Sequence, residues 1–255
     1  MSEYLDAVNE LLPLHQKIAD LNLALGKVYP VAVVVGDEFL IYDAVSNRGP
    51  YHFIKRAPVP MPIPAGIRAA FQLADYGGRI ACVVTPEVFE TREGYVTILH
   101  EFVHCYQYET CEQDLKMQLD IAQQAKEKGD VMWEIQHPFP YTAESFVQPY
   151  ARFMEAIGNE NEQDIRLYRK RLKTYLGLHD YEYMVWQEWK EGFARWVENT
   201  LQARLGLPVK RGGLQLPYSR VLFYVGGAAY IDYISGQKPE IVNDLPTLFK
   251  TMFEV

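Results

Sequence analysis

Hydrophobic positions change their period once along the chain, near residue 91. Upstream, Leu5, Val8, Leu11, Leu12, Ile18, Leu21 and Leu25 recur at helical spacing with Gly26 as a stop, which predicts one opening helix over residues 5–25. Two β-rich runs, 31–35 and 39–42, flank the turn-forming pair Gly36-Asp37 and predict a hairpin. Residues 51–55 and 80–85 read as two more strands. Between them, the four prolines of 58–64 cannot donate to a ladder and predict an extended connection or an edge. From Thr91, a candidate N-cap, the spacing is helical throughout. It predicts helices over 92–108, 112–128, 142–157, 160–176, 181–205, 218–234 and 245–253. This order of elements predicts an α+β fold in two lobes. Residues 1–90 make an N-terminal helix and a small antiparallel sheet, and residues 91–255 make a mostly helical lobe. The helix that starts at Arg92 lies at the junction, where a cleft is expected.

Composition narrows the class without changing that outline. The 255 residues are 49% hydrophobic and 23% charged, the balance of a globular chain rather than a disordered or fibrous one. A net charge of -8 provides no broad positive field, so nucleic acid is not expected as a partner. No run approaches the roughly 18 consecutive apolar residues of a membrane helix, so none is expected in a membrane. The N-terminal Glu3 and Asp6 stand where a secretory signal needs basic residues, and Cys82, Cys105 and Cys111 form no C-x-x-C pair. Together these predict a cytoplasmic protein with reduced thiols.

The chemistry-bearing pattern lies in the first helix of the second half, as His100-Glu101-Phe102-Val103-His104. Positions i and i+4 share a helix face about 5–6 Å apart, so two imidazoles can reach one zinc. Glu101 flanks that face, where it can take a proton from a water held by the metal. Tyr95, Ile98, Leu99, Phe102, Val103 and Tyr106 form an apolar stripe on the other arc and predict a buried central helix. Cys105 falls on that apolar side. A catalytic zinc needs a third protein ligand, and no closely following Gly and His supply one. The remaining common solution is a glutamate on a later helix, and Glu191 in Trp189-Lys190-Glu191-Gly192-Phe193-Ala194 fits it. Gly192 and Ala194 would let that helix approach the histidine helix closely. Helical projection puts Glu188, Glu191, Arg195 and Glu198 on one face, with Glu198 suited to accept a hydrogen bond from a ligand histidine. The basic run Arg166, Arg169, Lys170, Arg171 and Lys173 reads as solvated helix surface.

His100-Glu101-x-x-His104 followed by Glu191-Gly192-x-Ala194 resembles the gluzincin zinc metallopeptidases, the peptidase MA-like families with a Glu-Gly-x-Ala ligand helix. The resemblance covers about residues 79–235. It implies a zincin-like fold in which His100, His104 and Glu191 bind zinc and Glu101 is the general base. It also likens the strand at 79–85 to a peptide-binding sheet edge, and Tyr224 to the tyrosine that stabilises the oxyanion, with His179, Tyr181 and Tyr183 as alternatives. Arg195 departs from thermolysin, which carries an aspartate there. The absence of a Gly-x-Met-Glu-Asn segment departs from the related aminopeptidases. The function expected is therefore zinc-dependent hydrolysis of a peptide or protein substrate. The alternative is a zincin-like protein that binds zinc or a peptide without turnover.

Overall fold

A computed structural model describes residues 3–46, 49–209 and 212–254. The opening helical pattern resolves into two short helices, α1 (Leu5–Asn9) and α2 (Leu11–Gln16), rather than one helix over 5–25. Pro13 accounts for the break, because it has no N–H for the carbonyl of Asn9 and its ring crowds that group. A short 3₁₀ turn at Leu23–Leu25 follows, capped by Asn22, whose side chain accepts from the Ala24 N–H at 2.9 Å.

The sheet contains β1 (Val31–Val35), β2 (Glu38–Ala44), β3 (Tyr51–Pro58), β4 (Arg68–Leu73) and β5 (Arg79–Val84), in the order β3-β2-β1-β5-β4. Gly36 at φ 60° makes the hairpin turn between β1 and β2. The expected antiparallel sheet is corrected to a mixed one, since β1 and β5 run parallel, with Val31 opposite Cys82 and Val33 opposite Val84. These two strands are nearly continuous buried runs, the pattern of central strands covered on both faces. β5 is therefore interior, and the edge beside it is β4, a strand that the sequence pattern did not predict. Ala69 and Ala70 give β4 little β propensity. Ala32, Val34, Phe39, Ile41, Ala81 and Val83 pack together on one sheet face.

Helix α3 (Arg92–Gln107) packs along β4 and β5. Thr91 caps it, its hydroxyl accepting from the Gly94 N–H at 3.1 Å. Gly94 lies so close to Val88 that a Cβ there would sit 1.8 Å from the Val88 carbonyl oxygen. A π-helical turn, Tyr108–Glu112, ends the helix. The chain divides into two compact units, Met1–Thr110 with Val197–Val209 and Cys111–Trp196 with Lys210–Val255, so the boundary drawn near residue 91 falls inside the first.

The second unit is helical. The stretch expected as one helix over 112–128 is α4 (Gln113–Lys116) and α5 (Asp120–Lys128), the latter capped by the Glu182 carboxylate, which accepts from the backbone N–H groups of Asp120 and Ile121. Next come α6 (Trp133–Gln136), α7 (Glu144–Gly158), α8 (Glu162–Tyr175), the long α9 (Leu178–Leu205), α10 (Val221–Gln237) and α11 (Leu245–Phe253). No helix among the described residues is long and apolar enough to cross a membrane.

Two charge networks, one buried and one half-buried, tie these helices together. Arg169 is not solvated surface; it is 1% exposed, and it donates to Glu188 at 2.6 Å and to the Met252 carbonyl at 2.9 Å. The rings of Phe153, Tyr181 and Tyr230 surround its guanidinium at 5.2–5.6 Å. In the other network, Glu134 takes hydrogen bonds from Lys190 at 2.8 Å and from the Trp186 indole at 3.0 Å, and pairs with Lys116 at 2.6 Å. Burial opposes the Glu134 charge, but Lys190 and Lys116 outweigh it and hold its pKa down from 4.5 to about 2. A carboxylate depressed on folding stabilises the native state above its unfolded pKa, and that stabilisation is lost as pH falls through about 2. Glu134→Gln is therefore expected to cost about 3 kcal/mol at pH 7, with the gap from wild type closing between pH 4.5 and 2 in urea titrations.

Candidate metal centre

Within α3 the rings of His100 and His104 stand 4.9 Å apart at 76°, and their Nε2 atoms converge to 3.2 Å. Each ring is held from behind through Nδ1. His100 Nδ1 lies 3.0 Å from Glu198 Oε2, and His104 Nδ1 lies 2.8 Å from Gln107 Oε1. Both partners present oxygens, which accept from a ring whose proton is on Nδ1. The two Nε2 atoms converge on one point, where with the ring protons on Nδ1 they would both offer lone pairs to a shared cation. Glu198 is 2% exposed and its other oxygen accepts from the Gln202 amide at 3.4 Å, which fixes the carboxylate in turn.

Glu191 stands on the same helix as Glu198, seven residues earlier and so nearly in line with it. One ligand atom from each of His100, His104 and Glu191 lies within 4.8 Å of the others, a group that could hold a metal ion. Two imidazoles and a carboxylate suit a divalent transition metal better than calcium or magnesium, which prefer all-oxygen sites. The donor set therefore fits.

Glu101 is buried on the same helix, next to His100 in the chain, and close enough to Cys82 of β5 to act on it. Its carboxylate acts on the thiols of Cys82 and Cys105: burial first, and then this charge, push both well above the ordinary thiol range. These thiols are neutral core groups. Cys111 is also buried and stands outside the donor group.

The face drawn through Glu188, Glu191, Arg195 and Glu198 splits in the structure. Glu188 is 0% exposed and turned to Tyr150 and Arg169. The expected role of Gly192 is also corrected. A Cβ there would lie 2.6 Å from the Gly227 Cα, so this glycine admits α10 rather than the histidine helix. Gly227 is equally constrained, since its Cβ would meet the Glu188 carbonyl oxygen at 2.2 Å.

Tyr224 lies on α10 with the Arg195 and Arg220 guanidinium groups 5.8 and 5.4 Å from its ring centre. Tyr181 is committed elsewhere, donating to the Phe253 carbonyl at 3.0 Å, and Tyr183 donates to the Glu134 carbonyl at 3.3 Å. Sequence reasoning missed two residues. Gln107 had a signal, its i+3 position after His104. Arg220 had none, and its Nη1 reaches Glu191 Oε1 at 3.4 Å and Gln187 Oε1 at 3.3 Å. Comparison with protein-family models, curated proteins and solved structures gave no match to this chain.

Proposed function

We propose that this chain is a zinc-dependent hydrolase acting on peptide bonds. The observation that carries the reading is the convergence of two imidazole Nε2 atoms, each ring held from behind through Nδ1, with Glu191 in the same three-residue group and Glu101 next to His100 on the helix. A structural zinc site is normally closed by four protein ligands, whereas three leave a position for reaction. His100, His104 and Glu191 would hold the zinc, which when bound polarises a carbonyl and makes water a nucleophile at neutral pH. Glu101 accepts the proton of the attacking water on its carboxylate and returns it to the leaving nitrogen. Tyr224 is the proposed hydroxyl donor toward the oxyanion. The peptide-binding edge that the resemblance assigned to residues 79–85 passes to β4, whose outer side pairs with no strand among the described residues and can take an extended chain.

Elemental analysis of wild type and Glu191→Ala, both dialysed against zinc, tests the centre. Wild type is expected to retain about one zinc per chain and the variant at least tenfold less. A wild type that stays metal-free sinks the reading. Incubation of the zinc-loaded protein with a peptide mixture, read by mass spectrometry, tests the hydrolysis.

A further inference from the structure

Beside Glu191, the second unit assembles a set of groups of which the hydrolytic steps above use only Tyr224. Arg220, just before α10, is the cation in contact with Glu191 there. Its guanidinium lies 5.4 Å from the Tyr224 ring and 3.4 Å from Glu191, and Tyr183 and Tyr141 are near enough to act on its charge. Tyr141 and Tyr183 meet hydroxyl to hydroxyl at 3.5 Å, and their rings stack around Phe139 and Phe223 at 4.8–6.1 Å. His137 stiffens the segment that carries Tyr141, packing on Tyr183 at 4.6 Å and bonding to Asp180 at 2.6 Å. The guanidinium thus lies against the Tyr224 ring, near a packed aromatic cluster.

Its hydrogen bonding is incomplete. Both contacts to α9, with Gln187 and Glu191, are made by Nη1 and are long, 3.3 and 3.4 Å. Nε and Nη2 donate to no described group, and the side chain keeps 32% of its surface exposed. These two remaining donors are the parallel fork that a carboxylate accepts in bidentate fashion. A buried ion pair committed to Glu191 alone would bring short bonds; the observed geometry leaves the fork available to a ligand.

We propose that Arg220 recognises a carboxylate of the substrate next to the bond that is cut. The chemistry is shared by two sources, the C-terminal carboxylate of a peptide and an acidic side chain within it. The inference rests on the peptidase reading for the word substrate, while the binding it describes is measurable without turnover.

The test uses zinc-loaded Glu101→Gln protein, with and without Arg220→Gln, in calorimetric titrations. One probe pair is an acetylated tripeptide ending in phenylalanine, as free acid and as amide. A second pair is the amide with glutamate or glutamine at its middle position. The carboxylate-bearing member of one pair is expected to bind at least tenfold tighter, with the ratio falling to within about twofold on Arg220→Gln. The first pair responding identifies a C-terminal carboxylate, the second an acidic side chain. Equal binding within both pairs, or a preference that survives Arg220→Gln, overturns the proposal. Arg220→Lys, which keeps the charge and loses the fork, is read the same way if the glutamine variant fails to fold, with a partial loss expected and an unchanged ratio overturning it. Wild-type cleavage is assayed separately. Cleavage without a carboxylate preference removes the role of Arg220 and leaves the peptidase; a preference without cleavage does the reverse.

Discussion

Glu101→Gln is expected to keep zinc at the wild-type level and to lower kcat/KM for peptide hydrolysis by at least about 10³-fold. The amide keeps the size and packing of the carboxylate, so α3 and its two histidines are undisturbed. What is lost is the capacity to accept a proton from water and pass it to the leaving nitrogen, a contribution of roughly 10²–10⁴ in general acid–base catalysis. Zinc content, a thermal melt and peptide turnover on the same preparation check this. Activity within tenfold of wild type, with zinc retained, would show that Glu101 is not the base. No turnover in either protein, with zinc bound to both, would leave a zincin-like binding protein.

Arg169→Met is expected to give the largest loss of stability of any single substitution discussed here, about 3–5 kcal/mol. Arg169 and Glu188 are 1% and 0% exposed, so removing the cation strands a carboxylate with no access to water. The Tyr150 hydroxyl, 2.9 Å from Glu188, compensates only part of that charge, and the Met252 carbonyl loses its donors as well. Adding Glu188→Gln should recover more than half of the loss, because the double variant buries no net charge. Urea unfolding midpoints measure both effects. A single-variant cost under about 1 kcal/mol would mean that water reaches Glu188 when Arg169 is gone.

What could be read from the sequence follows from what helical periodicity encodes. His100 and His104 share a face because four residues nearly complete a turn, and Glu191 and Glu198 align because seven nearly complete two. Glu188, three residues before Glu191, is rotated about 60° away from it, enough to pass from the site side to the buried Arg169 side. Periodicity could not show which strand pairs with which. β1 and β5 announce themselves as buried, but nothing in Val31–Val35 reveals a parallel neighbour whose paired residues lie 51 positions on. β4 was hidden by its alanines, and the break at Asn9 was legible in Pro13 but outweighed by the apolar spacing around it. Arg220 belongs to no pattern at all. Only folding brings it to Glu191, 29 positions back along the chain.

The seven-residue interval between Glu191 and Glu198 makes helix α9 a phase standard for the donor set. One carboxylate grips the back of an imidazole and the other faces the front of the same pair, and both take their angular setting from a single uninterrupted backbone. A residue inserted between them would turn one against the other by about 100° and send Glu191 off the donor group while Glu198 kept its histidine. The interval therefore tolerates changes of side chain but not of length, and α9 reaches its full 28 residues through this stretch without a proline or a kink-forming turn.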